Sequence, residues 1–215
     1  VNDASDSLLQ IKIEQLRKRI READNPKGDA LRCGMDYSEI SGMPILSFLI
    51  FNQPVEINYP ELVVRDVCNG NSLNTAYQAL VCYYLNTSAT FSIGFQVEKK
   101  WVSFADLPDG RFYNPSFQGY TGNKLAAIIE SDIQKFSNIA LQFNGSILDI
   151  GDVAFKFLAL PKVPVGIVFW RGDEEFPSNC QILFDATVSK HLPTDTCAVL
   201  GSMLTQMILK QMNNK

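Results

Sequence analysis

A chain of 215 residues with 46% hydrophobic and 20% charged residues has the composition of an ordinary globular protein. At that length roughly 70% of the unfolded surface can be buried, so one domain, or two small ones, can hold a core without disulfide or metal staples. A net charge of −4 argues against nucleic acid, whose phosphates demand clustered Lys and Arg, and no apolar run reaches the length of a membrane span.

Five cysteines, Cys33, Cys68, Cys82, Cys180 and Cys197, are odd in number and irregularly spaced, which suits free thiols in a reducing cytosol. No C-x-x-C pair supplies zinc or iron–sulfur ligands at their usual spacing, and the single His excludes two-His metal sites. The opening V-N-D-A-S-D is not a signal peptide, although an initiating Met or an upstream segment is left open. The expectation is a cytoplasmic domain.

In chain order, residues 1–30 read as an N-terminal amphipathic helix and turn. Leu9, Ile13, Leu16 and Ile20 form a stripe at helical spacing, and Asn25-Pro26-Lys27-Gly28 stops it. The run Arg17-Lys18-Arg19 with Arg21 lies on that helix among Glu14 and Glu22 and reads as a solvated face. Residues 31–215 read as one globular domain. Asp29 to Met43 is a linker; Ile45–Phe51 and Val55–Tyr59 form an antiparallel hairpin turned by Asn52-Gln53-Pro54. Leu62–Val67 is a third strand or a loop, and Leu73–Leu85 a helix. Phe91–Val97 and Lys100–Phe104 follow as strands, then an aromatic loop from Asp106 to Gly122, long for a structureless connection and therefore functional or mobile. Thr121 or Asn123 caps a third helix that Asn144-Gly145 ends. The stretch Val153–Val188 carries three strands, Val153–Leu160, Val165–Trp170 and Ile182–Phe184, hinged at Pro161–Pro164 and Arg171–Pro177. Thr194 caps a last helix to about Met212. The sum is α+β: a mainly antiparallel, or mixed, sheet with about four helices packed on it, in a single domain.

Chemistry is narrowed mostly by exclusion. There is no G-x-G-x-x-G after a strand, no Walker loop and no G-x-S-x-G elbow. Asp173, Glu174 and Glu175 follow a buried strand; as paired carboxylates they suit a hard cation or an acid–base couple, with Asp185 or His191 assisting. The same residues also read as an exposed turn capped by Asp173, with Glu175 paired to Arg171 or Arg111, and His191 as a hydrogen-bonded structural group. The aromatic residues give a second signal. Trp101, Arg111, Tyr113, Trp170 and Arg171 can line a pocket for a flat or anionic ligand, or can be edge and lid packing. The sequence names no cofactor.

Three motifs carry a resemblance: W-V-S-F-A-D-L-P-D-G-R-F-Y from Trp101, W-R-G-D-E-E-F-P-S-N-C-Q-I-L-F-D from Trp170, and H-L-P-T-D from His191. In that order they resemble the uncharacterised prokaryotic family called domain of unknown function 3786, over most of the chain after about Leu31. The family supplies no reaction. It implies a setting in anaerobic bacteria and archaea, near corrinoid, iron–sulfur, one-carbon or redox metabolism; some members resemble fusions with an N-terminal iron–sulfur segment whose cysteines this chain lacks. The expectation is therefore an accessory domain binding a small anionic or planar ligand, or a redox or corrinoid partner protein. The alternatives are an enzyme using the acidic turn and a purely structural domain.

Overall fold

A computed structural model of the chain describes residues 2–91 and 97–214, with the backbone alone for 2–6. The fold is α+β, and its contacts divide into two compact units. One comprises Val1–Gln96, Leu160–Lys162 and Lys190–Pro193; the other comprises Val97–Ala159, Val163–Ser189 and Thr194–Lys215.

The first unit begins with α1 (Asn2–Ala23), whose expected stripe is buried: Ile13, Leu16 and Ile20 are each at most 4% exposed. Of the basic run, Lys18 and Arg19 are solvated, but Arg17 is not. Its guanidinium donates to the Leu62 carbonyl at 3.0 Å and to Gln78 Oε1 at 2.9 Å, so part of the expected solvated face is a clamp. The expected linker holds two elements, α2 (Pro26–Cys33) and β1 (Asp36–Ile40). The residues that stop α1 also start α2: Pro26 has the backbone angle of a first helical turn, and Asn25 Oδ1 accepts from Gly28 N at 3.0 Å. Gly34, at φ 67°, ends that helix in the left-handed conformation.

Then come β2 (Met43–Ile50), β3 (Gln53–Asn58) and β4 (Val64–Asp66), which make with β1 a four-stranded antiparallel sheet in sequence order. The β2–β3 turn is at Phe51-Asn52, both at positive φ, which leaves Pro54 inside β3 opposite Leu49. Helix α3 (Thr75–Ser88) packs Ala79 and Cys82 on Ile13 and Leu16 of α1. Buried Gln78 seals the join by donating to the carbonyls of Val64 and Leu73 while accepting from Val64 N. The strand expected over Phe91–Val97 falls on 92–96, outside the described residues.

The second unit contains β5 (Trp101–Ser103), α4 (Gly110–Tyr120), α5 (Gly122–Ser131), α6 (Ile133–Gln142), β6 (Ser146–Ile147), β7 (Val153–Leu160), β8 (Val163–Trp170), β9 (Asn179–Asp185) and α7 (Thr194–Asn213). Its sheet runs β5-β9-β8-β7-β6. Strand β8 is buried on both faces except at Trp170, as its unbroken apolar run requires. Three sequence expectations give way here. The aromatic loop is mostly helix α4, hidden by Gly110, Pro115 and Gly119 and held by Phe117, whose ring stacks on Phe104 at 4.1 Å between centroids. The single third helix is two, because Asp132 leaves helical angles and accepts from Lys135 N to start α6. The strands belong to two sheets rather than one.

Candidate functional site

The site residues expected from the sequence fall in the second unit, apart from His191. Trp101 stands opposite Asp185 on β9, and Trp170 stands opposite Asn179. Those partners are six residues apart, about 20 Å along the strand. Alternation puts both indoles on one face of the sheet but at opposite ends of β9, not at a common rim. The ground between them is filled. The Trp101 ring comes within 3.4 Å of where a Cβ on Gly166 would stand, with Leu148 at 3.3 Å, so a larger residue there would press on both side chains. The Trp170 ring lies beside Gly151, Asp152 N donates to the Phe169 carbonyl at 2.9 Å, and Val168 is fully buried. Both tryptophans, half-buried, serve as packing for the Leu148–Asp152 loop on β8.

The acidic turn is an ordinary capped turn. Asp173 Oδ1 accepts from the backbone N–H of Glu175 at 2.9 Å and of Phe176 at 2.8 Å, while Asp173 N donates to the Phe176 carbonyl at 2.8 Å. The bonds from Phe176 and Glu175 hold the Asp173 carboxyl below its usual pKa, the opposite of what a general base raised towards neutrality needs. Asp173, Glu174 and Glu175 are all exposed. Among the described residues no group of three or more His, Cys, Asp or Glu side chains converges as a metal ion requires. Arg171 is exposed, and its backbone N–H donates to Asp152 Oδ2 at 2.8 Å.

Asp185 and His191, the expected assistants, are buried and far from solvent chemistry. Asp185 is 0% exposed, and its carboxylate accepts from the N–H groups of Glu98 (3.2 Å), Lys99 (2.7 Å) and Thr187 (3.0 Å) and from the Thr187 hydroxyl. That set locks the turn into β5, where Lys99 has φ 58°. In the first unit, His191 is 4% exposed; its Nδ1 shares a hydrogen bond with Ser88 Oγ at 2.9 Å, and its ring tilts against Tyr84. Around that pair, Tyr84 Oη donates to the Cys33 carbonyl at 2.6 Å and accepts from Lys162 N at 3.2 Å. Burial pushes the Cys33 thiol up to about 12, which leaves no reactive thiolate beside the histidine.

Two of the expected ligand residues stand in the open on α4. Phe112 is 87% exposed and Tyr113 67%, with exposed Arg111 before them and Pro115 after. Arg111 is near enough to Asp106 to help lower that carboxyl's pKa, a smaller effect than the hydrogen bonds from Ser103. The helix beneath is rigid: Phe117 is fully buried against Phe104 and Phe184, and Gly110 lies so close to the Phe104 carbonyl that a Cβ would stand 2.0 Å from it. Of the five expected ligand residues, the structure therefore joins only Arg111 and Tyr113. Sequence reasoning missed Phe112 as the most exposed aromatic, because in a loop its neighbours looked equivalent. Helical spacing was the signal, since Phe112 lies five positions before buried Phe117, about 140° round the helix from it.

No curated protein and no solved structure matches the chain. A protein-family model matches residues 25–207, a span that takes in the β5–α4 segment, the acidic turn and His191, and the chain belongs to the family described as Domain of unknown function (DUF3786).

Proposed function

We propose that this chain is an accessory binding domain that docks a partner protein through the first turn of α4. The observation that carries the reading is the exposure of Phe112 and Tyr113 on a helix pinned from below by Phe117. Adjacent large aromatics in water contribute nothing to the core, whereas rigid aromatic and Arg side chains are the groups that dominate protein interfaces once a partner desolvates them. The setting implied by the family, cytoplasmic redox or one-carbon metabolism of anaerobes, directs the search to corrinoid and iron–sulfur proteins. The small-ligand form of this reading needs Trp101, Arg111, Tyr113, Trp170 and Arg171 together, and their spread between α4 and opposite ends of β9 favours the protein partner. The enzyme reading needs Asp173 or Glu175 in a cleft, and both stand exposed on the turn, with the Asp173 carboxyl held below its usual pKa.

The test is a double variant, Phe112→Ser with Tyr113→Ser. Its melting temperature should stay within about 3 °C of the parent, because solvent-exposed side chains are replaced. A partner that copurifies anaerobically with the native chain and is then reconstituted pure should bind the variant at least about tenfold more weakly. Undiminished binding sinks the proposal. Native mass spectrometry that finds a small molecule travelling with the chain would move the assignment to the ligand form.

A further inference from the structure

The first unit holds an open cleft of about 190 Å³ that the docking reading does not use. Its walls divide by chemistry. Met43, Pro44, Tyr59 and Pro60 make an apolar side, while Arg21, in the last turn of α1, and Asp24, just beyond it, set a cation and an anion three residues apart on the rim. The apolar side is held in place. Tyr59 N donates to the Pro44 carbonyl at 2.9 Å, and the Tyr59 hydroxyl donates at 2.7 Å to buried Asp29, whose carboxylate also pairs with Arg32. Met43 is presented by the two-residue turn Ser41-Gly42, where both residues have positive φ.

The two rim charges do not neutralise each other. Arg21 pairs with Glu14, two turns earlier on α1, and the exposed Asp24 carboxylate has no ion pair among the described residues. A ligand complementary to this arrangement carries an anion and a cation close together and a compact apolar tail. The cleft is smaller than the about 300–1,000 Å³ of pockets that enclose drug-sized molecules, so the ligand it can hold within its walls is compact. We infer that this cleft binds a free α-amino acid with an aliphatic side chain. The carboxylate meets Arg21, the ammonium meets Asp24, and the side chain lies on Met43, Pro44, Tyr59 and Pro60. The charged ends give orientation and the apolar wall gives the length preference.

The experiment is a titration of the whole chain, isotope-labelled at its methionine methyl groups, with three probes sharing one branched tail. These are L-leucine, 4-methylpentanoate, which lacks the ammonium, and 3-methylbutylamine, which lacks the carboxylate. The Met43 methyl signal should shift saturably with L-leucine, while Met203, Met207 and Met212 of the second unit stay put. Each truncated probe should bind about tenfold more weakly or worse, the loss expected for one charge-assisted hydrogen bond. Arg21→Gln and Asp24→Asn should each weaken L-leucine by a similar factor with the fold intact by circular dichroism. The inference is overturned by an unmoved Met43 up to about 20 mM L-leucine, well above the millimolar range of the weakest specific ligands. Equal binding of all three probes, or native affinity in both variants, overturns it as well.

Discussion

Asp173 and Asp185 make the same kind of structure in opposite surroundings. Each carboxylate gathers the N–H groups of a turn beside the second sheet, Asp173 from Glu175 and Phe176 at the start of β9, Asp185 from Glu98, Lys99 and Thr187 at its end. One is open to water and the other is 0% exposed. The contrast teaches that a carboxylate in a turn is informative through its burial, not through its charge or its acidic neighbours. The exposed one can be replaced by water at little cost. The buried one cannot, because its donors would be left without an acceptor.

Removing the buried member should therefore have the largest effect. Asp185→Ala is expected to destabilise the second unit by about 3 kcal/mol or more and to lower the melting temperature by about 10 °C, measured by calorimetry. A loss no larger than that of Asp173→Ala would break the comparison. The corresponding buried group of the first unit comes next. His191→Ala takes the imidazole partner from Ser88 Oγ and opens a void against Tyr84, so a loss of about 2 kcal/mol is expected. Retained stability there would show that water replaces the ring.

The exposed member should respond mainly to pH. Its folded pKa is depressed, so its contribution is present above the unfolded value and is lost as pH falls through the lower folded value. Amide exchange at Glu175 and Phe176 should accelerate beyond the intrinsic trend only as pH falls below about 4, whereas Asp173→Ala should exchange fast throughout and melt within about 2 °C of the parent. Cysteine labelling gives the smallest and sharpest readout of the same divide. Cys68 is exposed, while Cys33, Cys82, Cys180 and Cys197 are buried, with burial pushing the Cys82 thiol up to about 11. One thiol should react quickly with an aromatic disulfide in the native protein and four only on unfolding; a second fast thiol would show that one of these cores opens.

Much of the fold was legible because its signals are local. The stripe Leu9-Ile13-Leu16-Ile20 is a property of one helix, β7 runs over Val153–Leu160 as its apolar run indicates, and α7 starts at Thr194, the residue expected to cap it, although the Thr194 hydroxyl donates to the Pro108 carbonyl instead. Local signals also misled where one residue served two purposes. Asn25 and Pro26 end α1 and begin α2, where the sequence shows only a stop, and Asp132, inside what reads as one helix, both stops α5 and starts α6. Pro115 and two glycines masked α4, whose stability comes from Phe104 and Phe184 rather than from helix propensity.

By itself, the order of residues determined the α+β class, the amphipathic first helix, the apolar central strands and the turn-forming character of the acidic segment, all of which follow from neighbours a few positions apart. Tertiary structure alone decided that β5 joins β9 more than seventy residues later, that the two tryptophans stand at opposite ends of that strand, and that Asp185 is sealed while Asp173 is wet. The physical reason is that strand pairing and burial are set by contacts between distant segments, and the pattern along one segment records which face is apolar but not what will cover it.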